Sequence, residues 1–232
     1  MAVELELKYS SPEGAVPEPS ELAAALAPLR LAVRPLGTSR HLDVYFDDPA
    51  LALERHGLAL RVRAARGAAV ATVKGRGDAV RGVFEREELE APLTTPWPPG
   101  PSLRADASTA PAWPTAVATR LAGLVALPTL EPRLEIETTR VAFAIERAGP
   151  PAGSLIAELA FDEVACRPAR GRGDGALIDA ALFSEVEIEA RGGTTGATLL
   201  AIGEALERLL PLVAGSASKL ERAASLLAPF IE

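Results

Sequence analysis

The chain has 232 residues, of which 48% are hydrophobic and 24% are charged, a composition that excludes a disordered protein. Its net charge of −7 argues against general electrostatic binding to nucleic acid or to an anionic membrane. The single cysteine, Cys166, excludes an internal disulfide and a cysteine-based zinc site.

No segment of the sequence has the pattern of a signal peptide or a membrane span. The first 30 residues lack a basic stretch followed by an apolar one, and no run of about 20 apolar residues occurs later. We therefore expect a cytoplasmic protein with no membrane partner. The length fits one domain over residues 1–232, and we expect a monomer or a homodimer.

Residues 3–9 alternate between apolar and charged side chains. Successive side chains of a β-strand point to opposite faces, so Glu4, Glu6 and Lys8 share one face. The apolar face needs cover from another element. The charged face contacts either solvent or a polar interior, and this strand alone leaves both open.

A helix and a second strand are predicted next. Ser20 is placed to cap a helix that runs to Leu29 and that Pro35 would end. Residues 41–47 then alternate as a strand, and a short helical turn follows around residues 51–54. The polar face of this strand carries Asp43, Tyr45 and Asp47.

Three further strands follow in the first half of the chain. Residues 58–63 and 70–74 form a predicted hairpin that turns at Gly67, and residues 83–90 form the next strand. Their polar faces carry Arg61 and Arg63, Thr72 and Lys74, and Arg86, Glu88 and Glu90.

The middle of the chain connects two blocks of strands. Residues 91–114 contain seven prolines and are predicted to form a surface crossover within the domain. A helix is predicted over residues 116–127, followed by a strand over residues 133–146. In that strand, Arg140 shares a face either with the apolar residues at even positions or, across a bulge, with the charged ones.

Two strands and two helices complete the chain. The strands are predicted over residues 155–164 and 184–189, and the helices over residues 195–213 and 218–228. The polar faces of the strands carry Glu158 and Asp162, and Glu185, Glu187 and Glu189. Such a row of carboxylates repels itself unless cations lie nearby.

The eight strands predict an α+β fold, an eight-stranded antiparallel β-barrel with helices packed on its outside. The charged faces could contact solvent, as one face of an antiparallel sheet commonly does. They could instead line the barrel interior. The recurrence of acids and bases two positions apart, together with apolar faces that helices could cover, favours the interior. Such an interior needs bound anions and divalent cations to balance its charges.

Lysine is used sparingly in this sequence. Of 24 basic residues 21 are arginine, and the lysines are Lys8, Lys74 and Lys219. A compact ammonium and a planar guanidinium are not interchangeable, which suggests that each lysine has a specific role.

The pattern Glu4-x-Glu6-x-Lys8 resembles the ExExK signature of the CYTH superfamily, also called the triphosphate tunnel metalloenzymes. The resemblance continues in order over residues 3–227, and all three lysines lie at motif positions. The further segments are Tyr45-Phe46-Asp47, Leu60-Arg61-Val62-Arg63, Thr72-Val73-Lys74-Gly75, Arg86-Glu87-Glu88-Leu89-Glu90, Glu158-Leu159-Ala160-Phe161-Asp162, Glu185-x-Glu187-x-Glu189 and Ser218-Lys219.

This resemblance implies an eight-stranded tunnel and a set of site residues. The implied catalytic residues are Glu4, Glu6 and Lys8. The implied phosphate ligands are Lys8, Arg61, Arg63, Lys74, Arg86, Arg140 and Lys219. The implied ligands of Mg²⁺ or Mn²⁺ are Glu4, Glu6, Glu88, Asp162, Glu187 and Glu189, with support from Glu90, Glu158 and Glu185.

Elementary chemistry agrees with these roles. Guanidinium forks and ammonium charges suit a triphosphate, whereas carboxylates repel it unless they hold divalent cations. We predict two metal positions, one that orients the triphosphate and one that activates water for in-line attack.

We therefore expect a metal-dependent hydrolase of triphosphates, most simply one that cleaves inorganic tripolyphosphate to pyrophosphate and phosphate. Members of the resembled family also act on thiamine triphosphate, nucleoside triphosphates or RNA 5′-triphosphates, and one branch cyclises ATP. A nucleoside or thiamine triphosphatase and a class IV-type adenylate cyclase are therefore alternatives. A non-catalytic polyphosphate-binding module is another. The first is favoured because nothing in the sequence indicates a pocket for a base.

Overall fold

The computed structural model describes residues 2–12, 14–65, 68–80, 82–94, 111–149, 153–169, 180–215 and 217–228. The strands are β1 (Ala2–Ser10), β2 (Leu31–Asp47), β3 (Ala59–Ala65), β4 (Ala68–Lys74), β5 (Asp78–Val80), β6 (Val83–Pro92), β7 (Glu131–Arg147), β8 (Leu155–Pro168), β9 (Ala181–Ala190) and β10 (Val213–Ala214). The α-helices are α1 (Pro19–Leu26), α2 (Ala52–Arg55), α3 (Thr115–Leu121), α4 (Gly196–Glu207) and α5 (Lys219–Leu227).

Eight strands close a barrel in the part of the chain that the structure describes. Each pairs antiparallel with its neighbours in the order β1, β9, β8, β7, β2, β3, β4, β6 and back to β1. The short strands β5 and β10 pair with β6 and β1 outside this ring. The predicted eight-stranded antiparallel barrel is confirmed.

Helices cover the apolar face of the sheet. Leu22 of α1 and Ile202 of α4 pack in one cluster with Ile188 of β9. In a second cluster, Val117 of α3 packs with Val62 of β3. Since all five side chains are fully buried, each contributes roughly 1.5–3 kcal/mol to stability. This face is therefore the outside of the barrel, and the opposite face lines its interior.

Helix α5 departs from the predicted arrangement, because it packs against side chains of the interior face. Its residues Ala223 and Leu227 form a buried cluster with Tyr45, Ile136 and Cys166. Ile136 and Cys166 lie opposite each other on β7 and β8. The interior is thus apolar at this end of the barrel, where α5 fills it, and charged elsewhere.

The N-terminal boundaries differ from those predicted. Helix α1 begins at Pro19, so the prediction of Ser20 as its cap is wrong; proline suits the first helical position because it has no N–H to leave unpaired. Strand β2 begins at Leu31 and contains Pro35, which was expected to end the helix. The strand accommodates this proline at a register shift before Gly37.

Later helices are shorter than the periodicity suggested. Helix α3 ends at Leu121, and Gly123 then takes a positive φ of 78°. Helix α4 ends at Glu207. Residues 95–110 of the proline-rich crossover and Gly67 of the predicted hairpin turn lie outside the described residues. None of the described helices has the length and apolar character needed to cross a membrane.

The face occupied by Arg140 was left open by the sequence. Strand β7 pairs with β2 without a register shift from Leu134 to Val141. Arg140 therefore shares the interior face with Ile136 and Thr138. No bulge is needed, because this one face is apolar at Leu134 and Ile136 and charged at Arg140. That change along the strand is why the sequence allowed both assignments.

Candidate active site

The charged faces of the strands meet inside the barrel, and α5 adds Lys219 to them. The predicted cations and carboxylates form adjoining groups of ion pairs. The first group contains Glu4, Glu6, Glu88, Lys8, Lys74 and Arg86. The second contains Asp162, Glu185, Glu187, Arg140 and Lys219. The third contains Asp43, Arg61 and Arg63.

In the first group, Glu4 lies between two cations. Its Oε2 is 3.0 Å from Lys74 Nζ and 2.6 Å from Arg86 Nε. Lys74 Nζ also lies 3.0 Å from Glu88 Oε1. Burial alone would raise the pKa of Glu4, but Lys74 and Arg86 outweigh it and lower the pKa to about 2. Glu4 is therefore ionised at neutral pH.

Glu6 lies beside Glu4 on the same face but has a different electrostatic environment. Its Oε1 is 2.6 Å from Arg86 Nη2 and 3.2 Å from Lys8 Nζ. Burial raises the pKa of Glu6 above its ordinary value even though Lys8 and Arg86 oppose the shift. Lys8 also lies 3.8 Å from Glu187, which connects the first group to the second.

The second group surrounds the ammonium of Lys219. Lys219 Nζ is 2.7 Å from Asp162 Oδ2, 2.9 Å from Glu185 Oε1 and 3.5 Å from Glu187 Oε1. Arg140 donates two hydrogen bonds to Asp162, of 2.8 and 2.6 Å, and another to Glu187. This bidentate geometry fixes the orientation of both side chains.

Two carboxylates of this group have pKa values shifted in opposite directions. Burial tends to raise the pKa of Glu187, but Lys219, Arg140 and Lys8 hold it well below its ordinary value. Burial raises the pKa of Glu185, and Lys219 only partly offsets this. In turn, Glu187, Glu185 and Asp162 raise the pKa of Lys219 against the opposing effect of burial. Lys219 therefore keeps its proton.

These three carboxylates fit a divalent cation. Oxygen atoms of Asp162, Glu185 and Glu187 lie within 4.8 Å of one another. Carboxylate oxygens are the ligands that Mg²⁺ and Mn²⁺ prefer, and the lysine ammonium among them shows that the site favours positive charge. Glu185, which was predicted only to support the metal ligands, belongs to this cluster.

The six predicted metal ligands do not form one cluster. Asp162 and Glu187 lie in the second group, whereas Glu4, Glu6 and Glu88 lie in the first. Glu189 lies opposite Glu6 of the first group on β9 and β1, and its ion-pair partner is Arg191. Of the supporting residues, Glu158 lies 3.4 Å from Arg191, and Glu90 accepts a hydrogen bond from Thr72.

Three charged residues of the interior ion pairs, Asp43, Arg191 and Arg222, were assigned no role from the sequence. Asp43 is fully buried and accepts hydrogen bonds of 2.7 Å from both Nε and Nη2 of Arg63, with Arg61 Nη1 at 3.4 Å. The two arginines hold the pKa of Asp43 below its ordinary range, although burial opposes them. The alternation of residues 41–47 placed Asp43 on the polar face with Tyr45. This pattern could have identified Asp43 as a residue of the interior. Arg191 lies just beyond β9, where alternation predicts nothing.

Asp47, the last residue of the Tyr45-Phe46-Asp47 segment, positions a helix. Its Oδ1 accepts a hydrogen bond of 2.9 Å from the Leu53 N–H, and its Oδ2 accepts one of 3.0 Å from the Glu54 N–H. It therefore stabilises the start of α2.

Several buried polar atoms of the interior lack a hydrogen-bond partner among the described residues. Three of them also have no ion-pair partner: His41 Nε2, Arg61 Nε and Thr138 Oγ1. Three carboxylate oxygens, of Glu6, Glu88 and Glu185, lie at ion-pair distance from a cation without a well-directed hydrogen bond. Buried polar groups are normally paired, so this concentration points to a polar ligand.

The interior carries almost no excess formal charge in the described residues. Its ion pairs contain nine cations, the seven predicted phosphate ligands together with Arg191 and Arg222. Nine carboxylates face them: Glu4, Glu6, Asp43, Glu88, Glu158, Asp162, Glu185, Glu187 and Glu189. An anion that enters this interior must therefore bring cations with it.

A closed barrel lined by paired cations and carboxylates defines a class of protein with a densely charged interior. The chain belongs to the CYTH domain family, whose model matches residues 3–224. No curated protein matches the sequence.

Solved structures share this fold. A candidate adenylyl cyclase from Hippeastrum, for which a dominant triphosphatase activity is described, is 20% identical, with a TM-score of 0.61 over 96% of this chain and 95% of its own. A candidate adenylate cyclase from Bacillus halodurans is 15% identical, with a TM-score of 0.51 over 100% of both chains. At these identities the likeness establishes the fold alone.

Proposed function

We propose that this protein is a divalent-metal-dependent hydrolase of triphosphates, and that inorganic tripolyphosphate is its preferred substrate. The observation that carries the proposal is the convergence of all seven predicted phosphate ligands on carboxylates inside one closed barrel. The products are pyrophosphate and phosphate.

The phosphates would bind along the interior cations. Arg61, Arg63 and Arg140 offer planar forks that match phosphate oxygens, and Lys8 and Lys74 offer point charges. Carboxylates pair with these side chains and hold them in ordered positions. The entropy lost in ordering them is therefore part of folding and does not weaken substrate binding. The site is thus preorganised for a linear polyanion.

The charge balance of the interior requires cations to accompany the substrate. The residues that would hold them are Asp162, Glu185 and Glu187 in the second group, and Glu4, Glu6 and Glu88 in the first. When bound there, Mg²⁺ or Mn²⁺ supplies positive charge to the phosphate oxygens and lowers the pKa of water.

The reaction is an in-line displacement at the terminal phosphorus. Water attacks that phosphorus and gives one proton to an interior carboxylate, and the bond to the bridging oxygen breaks so that pyrophosphate departs with the electron pair. The interior arginines and lysines stabilise the negative charge that develops on the departing oxygen. Ionised carboxylates such as Glu4 are available to accept a hydrogen bond from water.

The apolar end of the barrel supports an inorganic substrate. Helix α5 fills this end with Ala223 and Leu227, which leaves little room there for a nucleoside or thiamine group. The triphosphatase activity described for the Hippeastrum protein agrees with hydrolysis over cyclisation.

A substrate panel tests the proposal. Tripolyphosphate, ATP, thiamine triphosphate and long-chain polyphosphate are each incubated with Mg²⁺ or Mn²⁺, and released phosphate and cyclic AMP are measured. We expect phosphate release from tripolyphosphate to exceed that from ATP by at least about tenfold. Cyclic AMP formation would favour the cyclase, and tight anion binding without turnover would favour a binding module.

A further inference from the structure

His41 and Thr138 form an unpartnered polar pair inside the barrel. They lie opposite each other on β2 and β7, on the face that carries Asp43 and Arg140. His41 is 8% exposed and Thr138 is 0% exposed. Neither His41 Nε2 nor Thr138 Oγ1 has a hydrogen-bond partner among the described residues. Two neighbouring orphaned groups in a folded interior are uncommon and call for an explanation.

The pair lies between two groups of predicted phosphate ligands. Two residues along β2, Asp43 accepts hydrogen bonds of 2.7 Å from Arg63. Two residues along β7, Arg140 donates hydrogen bonds of 2.8 and 2.6 Å to Asp162. The charged groups that act on His41 are therefore Arg63, Asp43, Arg140 and Asp162.

The imidazole of His41 is neutral in this environment. Burial and the charge of Arg63 lower its pKa to about 4, and Asp43 only partly opposes them. A neutral imidazole has one N–H donor, and the threonine hydroxyl supplies a second. The pair therefore offers two uncharged donors flanked by two arginines.

We propose that His41 Nε2–H and the Thr138 hydroxyl donate hydrogen bonds to one non-bridging oxygen of the triphosphate, between Arg63 and Arg140. This inference rests on the proposed function and deepens it, since it adds two positioning residues to the implied ligands. An oxygen of the triphosphate gives both orphaned groups a partner at once. Because the donors are neutral, they add no charge that metal ions would have to balance.

Paired substitutions separate hydrogen bonding from packing. Thr138→Val and His41→Leu remove the donors, whereas Thr138→Ser and His41→Gln keep them. The affinity for imidotriphosphate, whose bridging NH groups prevent hydrolysis, is measured by calorimetry with Mg²⁺. We expect about 5- to 30-fold weaker binding for Val and Leu and a change under about threefold for Ser and Gln. His56→Gln, at an exposed residue of the α2 region, is the matched control and should bind like the parent.

Equal binding by the parent and by Thr138→Val and His41→Leu would overturn the inference. So would equal losses in all four variants, because the pair would then only pack. If the parent fails to bind imidotriphosphate at all, the proposed function falls together with this inference.

Histidine resonances give a second readout. The sequence contains two histidines, so selective labelling yields two imidazole spin systems. On addition of imidotriphosphate we expect the Nε2 resonance of His41 to move while that of His56 stays in place, and the shift to be smaller in Thr138→Val. Saturated binding with an unmoved His41 resonance would show that the pair holds water instead, which contradicts the inference.

Discussion

Asp43 is a counter-charge shared by the buried Arg61 and the half-buried Arg63. It is fully buried, and its oxygens lie 2.7 Å from Arg63 and 3.4 Å from Arg61. Both arginines are implied phosphate ligands, so Asp43 holds them in place until an anion arrives. A carboxylate in this role should be replaceable by the anion itself.

The variant Asp43→Asn tests this role. We expect it to lower the free energy of unfolding by about 3–5 kcal/mol, because Arg63 loses its paired carboxylate and the buried Arg61 keeps only Glu88, at 3.8 Å. Tripolyphosphate should then raise the thermal midpoint of Asp43→Asn more than that of the parent, since the anion supplies the missing charge.

Asp48→Asn is the matched control for this prediction. Asp48 Oδ1 accepts hydrogen bonds from the N–H groups of Ala50 and Ala52 at the start of α2, outside the barrel interior. This variant should lose about 1 kcal/mol and gain no extra stabilisation from tripolyphosphate. Equal gains in both variants would contradict the role of Asp43.

The lowered pKa of His41 should make the stability of the fold depend on pH. The folded chain binds a proton at His41 only near pH 4, whereas the unfolded chain does so near the ordinary value of 6.5. The unfolded state therefore binds more protons between these values, and stability falls as the pH is lowered through them. The loss from this residue is about 2 kcal/mol between about pH 7.5 and 5.

Urea unfolding at these two pH values measures the effect. His41→Gln should lose about 2 kcal/mol less than the parent on acidification, and His56→Gln should behave like the parent. The same pH dependence in the parent and in His41→Gln would show that His41 does not titrate in this way.

Alternation along single strands placed most of the site residues on polar faces, and the resemblance to the CYTH superfamily supplied their implied roles. The polar face of β1 lines the interior, because helices cover the apolar face of the sheet. This face carries Glu4, Glu6 and Lys8. Alternation could not predict the pairing of Glu189 with Arg191, because Arg191 lies beyond the end of β9. It also could not separate Glu185 from its neighbours, since membership of the three-carboxylate cluster depends on the register in which β8 pairs with β9.

Helix α5 connects local capping to the site. Ser218 caps it by accepting a hydrogen bond of 3.2 Å from the Glu221 N–H, and Glu221 Oε2 accepts one of 2.6 Å from the Ser218 N–H. The next residue is Lys219, whose ammonium lies among three carboxylates. The position of this ammonium therefore depends on an intact first turn.

Ser218→Ala should weaken binding of tripolyphosphate about fivefold, because loss of the cap costs about 1 kcal/mol and frays the turn that carries Lys219. Thr195→Ala is the control. Thr195 caps α4 by accepting a hydrogen bond from the Thr198 N–H, and α4 packs on the outside of the barrel. Calorimetry should show nearly unchanged affinity for Thr195→Ala, and equal weakening in both variants would contradict the role of α5.

Element boundaries were predicted less well than element types. Strand β2 extends over ten residues before the predicted start at His41, because pairing with the long strand β7 overrides the breaking effect of Pro35. The placement of α5 inside one end of the barrel could not be predicted either. The apolar face of α5 resembles that of a helix on the outside of the barrel. Only the apolar side chains of Ile136 and Cys166 on the interior face show that α5 packs at the end of the barrel.

Closure of the barrel brings the polar faces of eight amphipathic strands together. The interior that they form contains many charged side chains, but its net formal charge is close to zero. Without an anion the cations and carboxylates satisfy one another, which explains how a chain of net charge −7 can hold so many buried charges. A triphosphate and divalent cations together would preserve this balance, whereas either alone would disturb it.

The most direct test is phosphate release from tripolyphosphate with Mn²⁺ by the parent, Glu4→Gln and the control Glu54→Gln, which changes an exposed carboxylate on α2. Glu4 lies between Lys74 and Arg86 and is an implied metal ligand. We predict rapid release by the parent and by Glu54→Gln, and a rate at least about 100-fold lower for Glu4→Gln. Release by Glu4→Gln at the parent rate would contradict the role of Glu4, and no release by the parent would contradict the proposed hydrolysis of tripolyphosphate.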